Sequence, residues 1–145
     1  MFIKQISVFL ENRKGRLAKA TQILGENNIN ISALCVADTA DYGVLRLIVN
    51  KPEEAKSALK NSEFTVIETD VIALFIDDNP GGLSRVLRVL DEANVSVEYI
   101  YAFAVKHNSR NQALAAFKVE DNLKALSALH AANIETVEPS DIYKL

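Results

Sequence analysis

The sequence predicts an α+β fold made of two tandem βαββαβ units, and two observations carry that prediction. Residues 66 positions apart repeat one another: Ile6/Ile72, Phe9/Phe75, Gly15/Gly81, Leu17/Leu83, Leu24/Leu90, Glu26/Glu92 and Asn28/Asn94 are identical pairs. Ile23/Val89, Ile29/Val95 and Ile31/Val97 are exchanges between similar side chains. Within each half, strand-like apolar runs alternate with helical stripes in the order strand, helix, strand, strand, helix, strand. Two right-handed βαβ crossovers then interleave the strands into one antiparallel sheet with both helices on one face, the ferredoxin-like arrangement. The 145 residues divide into unit 1 over residues 1–70 and unit 2 over residues 71–145. Units of this size bury a modest share of their surface, so they are expected to pack on each other or on a second chain.

The elements follow in order. Phe2–Leu10 is rich in β-formers and alternates loosely, which reads as a strand. A polar turn, Glu11–Gly15, leads into a helix whose apolar stripe is Leu17, Ala20, Ile23 and Leu24. Asn27-Asn28 ends it, because asparagine tolerates the left-handed conformation past a helix end. Ile29–Val36 and Tyr42–Val49 form a hairpin around a turn at Asp38–Tyr42. Pro52 opens a second helix, to about Asn61, as a first-turn proline should. Phe64–Glu68 is the fourth strand.

The second unit starts almost without a linker. Val71–Ile76 is its first strand, Asp77–Gly82 the turn, and Leu83, Val86, Leu87 and Leu90 the helical stripe, stopped at Asn94. Val95–Val105 and Ala113–Val119 make a hairpin with a polar tip, Lys106–Gln112. Asn122–Ala132 is the last helix and Ile134–Val137 the last strand.

Composition narrows the function classes. The formal charge is −3, with scattered basic residues, which offers no electrostatic footprint for nucleic acid or an anionic membrane. No segment approaches the length of a membrane-spanning run, and no secretory leader is visible at the start. The lone Cys35 suits a reducing compartment, and a cytoplasmic location is expected. Cys35 is expected as a small buried strand residue. His107 and His130 have no second ligand at metal spacing, so neither a metal nor a cofactor is expected. Asp77 and Asp78 are adjacent and diverge, and no nucleophile–base pair is present, so no catalytic residue is expected.

The sharpest local signal is Asp77-Asp78-Asn79-Pro80-Gly81-Gly82-Leu83 and its counterpart Glu11-Asn12-Arg13-Lys14-Gly15-Arg16-Leu17. Glycines at a helix start admit close approach to main-chain N–H groups that favour an anion. The same residues also read as an ordinary capped turn with a proline at the first helical position.

These loops, followed by a helix and then Asn27-Asn28-Ile29-Asn30-Ile31 or Ala93-Asn94-Val95-Ser96-Val97, resemble the ACT domain family of regulatory modules over nearly the whole chain. Unit 2 matches the pattern better; unit 1 departs from it at Lys14, where proline is usual, and at Arg16, which replaces the second glycine. The resemblance implies amino-acid binding between paired ACT units. It nominates Asp78, Asn79, Gly81, Gly82 and Leu83, with Asn12, Arg13, Gly15, Arg16 and Leu17 in the other copy. It places further contacts on strand residues Asn30, Ile31, Ser32 and Ala33, and Ser96, Val97, Glu98 and Tyr99. Backbone N–H groups at residues 81–83 suit a carboxylate, Asp78 or strand carbonyls an ammonium. Tyr99 and Tyr101 share a strand face and read as sheet packing or a pocket wall.

The expectation is a non-catalytic amino-acid-binding regulatory protein, a homodimer, acting on itself or on a metabolic enzyme in trans. The alternative is a module that regulates an enzyme through sheet-edge contacts without a ligand.

Overall fold

A computed structural model describes residues 2–11, 13–38, 42–104 and 111–144. The order is β1 (Ile3–Glu11), α1 (Arg16–Glu26), β2 (Ile31–Asp38), β3 (Tyr42–Val49), α2 (Pro52–Asn61) and β4 (Thr65–Asp77). It continues with α3 (Gly82–Glu92), β5 (Val97–Ala102), β6 (Gln112–Val119), α4 (Asn122–Ala131) and a short α5 (Pro139–Ile142). Asn28 and Asn94 each take φ 52°, the left-handed stop expected after α1 and α3. Pro52 opens α2 at its first turn.

The strands form one six-stranded sheet, β2-β3-β1-β4-β6-β5. Two strands expected as separate, Phe64–Glu68 and Val71–Ile76, are a single β4 of 13 residues. Its first half pairs antiparallel with β1, Ile3 against Val71 through Phe9 against Thr65, and its second half with β6, Ile72 against Phe117 through Asp77 against Gln112. The last expected strand, Ile134–Val137, is reduced to a bridge between Leu74 and Thr136 and a bond from Val137 N–H to Ala73 O at 2.9 Å. The reason is space: β1 already occupies the rest of that side of β4. Pro139 follows at once and opens α5, an element the sequence pattern does not announce.

Alternation along the strands sorts side chains into three cores. Ile6, Val8, Leu10, Leu45 and Leu47 meet Ala20, Ile23 and Leu24 of α1 and Ala55 and Leu59 of α2. Ile72, Leu74, Ile76 and Phe117 meet Val86 and Leu90 of α3 and Ala125 and Leu129 of α4. A polar cluster lies between these two cores. Lys4 Nζ is 2.8 Å from Asp70 and 3.3 Å from Glu68, and Lys56 Nζ is 3.4 Å from Glu68. The hydrogen bond to Asp70, opposed by partial burial, holds the Lys4 ammonium above its ordinary value.

The third core lies on the opposite sheet face, from Ile3, Ala33, Ile48, Val71, Ala73, Tyr101, Phe103, Leu114 and Ala116, with Ile142 of α5. The sequence leaves that face and the sheet edges free for another unit, and the chain uses them on itself. Edge strands β2 and β5 meet at a bridge between Ala33 and Phe103, where Ala104 N–H donates to Ser32 O at 3.0 Å. The sheet therefore curls back on itself and encloses its inner face.

Inside the curl, fully buried Gln5 joins the two units. Its Nε2 donates to Ser7 Oγ at 3.1 Å and Tyr99 OH at 2.8 Å, and Tyr101 OH donates to its Oε1 at 2.7 Å. The Arg46 guanidinium lies 3.9 Å above the Tyr99 ring, a cation–π contact. Cys35, expected buried, is half-buried beside this core.

Burial pushes the Tyr101 hydroxyl well above the ordinary tyrosine value of 10.0. The folded state thus keeps a proton that the unfolded chain releases above about pH 10, so this stability is complete below that pH and declines above it. Urea midpoints measured from pH 8 to 11 should fall at the alkaline end, and less steeply in Tyr101→Phe. Gln5→Leu strands the buried tyrosine hydroxyls and should cost about 2 kcal/mol in urea unfolding. Adding Tyr99→Phe and Tyr101→Phe should restore much of it, because the matched polar groups are then gone.

Candidate functional site

Both glycine turns are built alike. Gly15 (φ 89°) and Gly81 (φ 93°) precede α1 and α3 in the left-handed region, where a side chain is strained. Lys19 N–H donates to Gly15 O at 2.9 Å and Arg85 N–H to Gly81 O at 3.0 Å. Neither helix start has a side-chain cap, so the first-turn N–H groups of Leu83 and Ser84 point out of α3 without a capping oxygen. Pro80 lies one residue before the cap, not at the first helical position.

The second turn is tied to the β5–β6 hairpin. Asp78 N–H donates to Asn111 O at 2.9 Å, and Asn111 Nδ2 returns a bond to Asp78 O at 3.0 Å. Gln112 Nε2 donates to Asp77 Oδ1 at 3.1 Å, while Arg85 Nη1 lies 3.6 Å from Asp77 Oδ2. The Asp78 and Asn79 side chains are exposed. Gly82 admits no substitute: a Cβ there would sit 2.0 Å from the Asp77 carbonyl oxygen.

A cleft of about 130 Å³ opens beside this turn, lined by Phe75, Asp77, Gly82, Arg85, Val86, Gln112, Asn133, Ile134 and Glu135. Among the described residues its wall has a carbonyl-backed glycine at the mouth, two carboxylates, one guanidinium and two amides. Such a wall can hold a small zwitterion or a charged head group by paired hydrogen bonds. The sequence alone does not single out Arg85, Gln112, Asn133 or Glu135. They come from three separate elements, and only Arg85 follows the turn closely enough for local spacing to suggest it.

The first turn differs. Arg13 pairs with Glu11 at 2.5 Å across an exposed surface, and Asn12 lies outside the described residues. Arg16 turns inward, its Cζ 4.1 Å from the Phe64 ring centroid. Leu17 and Leu83 occupy matching, exposed positions. Antiparallel pairing of β1 with β4 sets the two turns at opposite ends of β4, about 40 Å of extended chain apart.

The nominated strand residues are distributed. Asn30 N–H donates to Asn50 Oδ1 at 2.9 Å, and Ile31 packs on the first-unit core. Ser32 and Ala33 are buried at the meeting of β2 and β5, next to Phe103, whose N–H bonds Leu114 O at 2.9 Å. Leu114 in turn pairs with Phe75, so unit 1's β2 reaches the level of the second-unit cleft. Ser96–Tyr99 lie at the opposite end of β5: Ser96 O accepts from Glu120 N–H at 3.0 Å, Glu98 meets Lys118 at 3.4 Å, Val97 half-packs on the second core, and Tyr99 faces Gln5.

His130 Nε2 lies 3.3 Å from Thr136 Oγ1 on the surface, and His107 lies outside the described residues. Among the described residues no group of three His, Cys, Asp or Glu could hold a metal ion, and no helix is long and apolar enough to cross a membrane.

Gly82→Ala should cost about 3 kcal/mol in urea unfolding, because backbone must move to admit the methyl group. Gly81→Ala, where space is open and only the positive φ is strained, should cost about 1 kcal/mol.

A family model described as an ACT domain pair matches residues 1–145. The crystal structure of protein BT0572 from Bacteroides thetaiotaomicron is 41% identical, covering 100% of this chain and 98% of that one, with a TM-score of 0.92. The ligand-free regulatory subunit of aspartate kinase from Thermus thermophilus is 18% identical over 90% of this chain and 93% of that one, TM-score 0.64. The regulatory subunit of aspartate kinase from Thermus flavus is 17% identical over 92% and 94%, TM-score 0.61. No curated protein matches the chain.

Proposed function

We propose, on the premise that this chain belongs to the ACT domain family as an ACT domain pair, that it is a non-catalytic regulatory protein that binds a free amino acid. The observation that carries this reading is the open cleft beside the uncapped start of α3, with Gly82 in its lining and Gly81 turning the chain just before it. The ligand carboxylate sits against the Leu83 and Ser84 N–H groups, and the exposed Asp78 carboxylate accepts from its ammonium. The side chain enters the cleft between Asp77, Gln112 and Glu135.

Regulation needs the ligand to favour one state over another. Ser32 and Ala33 of unit 1 meet Phe103 and Ala104 just past β5, and Phe103 is linked through Leu114 to Phe75 of the cleft, which is the route by which a ligand would stiffen the contact between units. The two Thermus neighbours are regulatory subunits of aspartate kinase. By analogy, a homodimer of this chain acts on a metabolic enzyme in trans, or on its own assembly, in the cytoplasm.

Thermal unfolding with each of the twenty amino acids at millimolar concentration tests the reading. At one hundred times its dissociation constant a ligand adds about 2.7 kcal/mol. For a chain of this size that is a rise of about 5–10 °C in Tm. At least one amino acid should give it, and none doing so would sink the reading.

A further inference from the structure

The two units differ on the inner face of the sheet, and strand pairing aligns them residue by residue. Ser7 lies opposite Arg46 as Ala73 lies opposite Ala116, and Arg46 opposite Cys35 as Ala116 opposite Tyr101. Gln5, two residues before Ser7, corresponds to Val71, two residues before Ala73. Unit 2 thus fills this face with apolar and aromatic side chains, where unit 1 carries an amide, a hydroxyl, a thiol and a guanidinium. Packing alone does not require that set, because a polar group taken from water costs free energy unless it finds a partner.

The Arg46 guanidinium has no partner of opposite charge. It is half-buried, lies 3.9 Å above the Tyr99 ring, and its Nε is buried without an acceptor. Among the described residues no carboxylate pairs with it: Glu98, just before Tyr99, is taken by Lys118 at 3.4 Å, and Glu11, farther along β1, by Arg13. The hydroxyls beside it are also donors. Gln5 Nε2 donates to Ser7 Oγ and to Tyr99 OH, which occupies a lone pair of each and leaves each proton free to donate. Tyr101 OH already covers Gln5 Oε1.

The ammonium of an α-amino acid finds no acceptor in this set. A carboxylate suits it, because a guanidinium takes both oxygens side by side and a hydroxyl proton reaches a further oxygen. The single positive charge matches a monoanion. Ile67, half-exposed opposite Ser7, and Phe9 on the next rung add an apolar floor.

We propose that the inner face of unit 1 is a second ligand site, separate from the cleft beside α3, that binds a small apolar 2-oxo acid. Its carboxylate pairs with Arg46, its keto oxygen accepts from Ser7 Oγ, and its alkyl group lies over Ile67 and Phe9. Such an acid differs from the corresponding amino acid at the one substituent where this site offers donors and no acceptor. The site does not depend on the amino-acid-binding reading of the α3 cleft.

Iodoacetamide alkylation of Cys35, the single cysteine, tests it on the full chain, because Cys35 stands opposite Arg46 and reports this site and not the α3 cleft. Bound 4-methyl-2-oxopentanoate should slow alkylation severalfold. Half-protection should need about tenfold less of it than of L-leucine, with 4-methylpentanoate, which lacks the keto oxygen, between them and inorganic phosphate weakest. Arg46→Gln should abolish the protection and Arg46→Lys weaken it, and Ser7→Ala should bring the oxo acid to the level of 4-methylpentanoate. The ligand-free Tm of each variant shows it folded, and Arg46→Lys carries the test if Arg46→Gln does not fold. No protection by the oxo acid, equal protection by L-leucine or phosphate, or protection unchanged in the Arg46 variants overturns the site. A margin over 4-methylpentanoate that survives Ser7→Ala overturns the placement of the keto oxygen. None of these outcomes touches the amino-acid reading, which thermal unfolding with amino acids decides.

Discussion

Thirteen residues of unbroken strand hold this molecule in one arrangement. β4 is the last strand of one unit and the first of the next, pairing with β1 along its first half and β6 along its second. A slip of one residue would exchange its inner and outer faces, putting Val71 and Ala73 under the helices and Ile72 and Leu74 into the curl. Each face is buried against a different partner, so the register is set twice. That shared strand also sends the two glycine turns to opposite ends of the molecule, so one chain presents two separate helix starts and not a joined pair.

The helix-facing cores are apolar and self-contained, whereas the surface between the units carries polar groups. Gln5 uses both amide protons and its carbonyl on Ser7, its neighbour on the same face of β1, and on Tyr99 and Tyr101, which only the closed curl brings within reach. Buried networks of this kind add little net stability when satisfied but are costly when misaligned, so they discriminate between the native seam and near-native alternatives. The Lys4–Glu68–Asp70–Lys56 cluster sits on the helix side between the two apolar cores, at the middle of β4. Polar residues mark the join on both faces of the sheet.

The copies share a backbone and differ in what they place at the helix start. Both keep the positive-φ glycine, because the chain must turn there in either unit. The following position differs: glycine in unit 2 lines a cleft, and arginine in unit 1 covers an aromatic ring. The turn is common to both units, whereas the neighbouring residue is held to glycine only in unit 2, where a Cβ would meet the Asp77 carbonyl.

Much of the fold was legible in the residues alone. The repeat, the apolar periods, Pro52 and the asparagine stops at 28 and 94 place the elements within a few residues, because each acts through local backbone chemistry. The glycine turns were legible for the same reason. The fusion of two strands into β4, the meeting of β2 with β5, the Gln5 network and the cleft wall of Gln112 and Glu135 were not. Each joins residues dozens of positions apart, and no period or local propensity records which distant side chain will face another. The sequence by itself determined two ferredoxin-like halves and their helix-start turns. Only the tertiary structure decided that the halves close on each other and that one helix start stands open, because both follow from how sheets twist and pack over long separations.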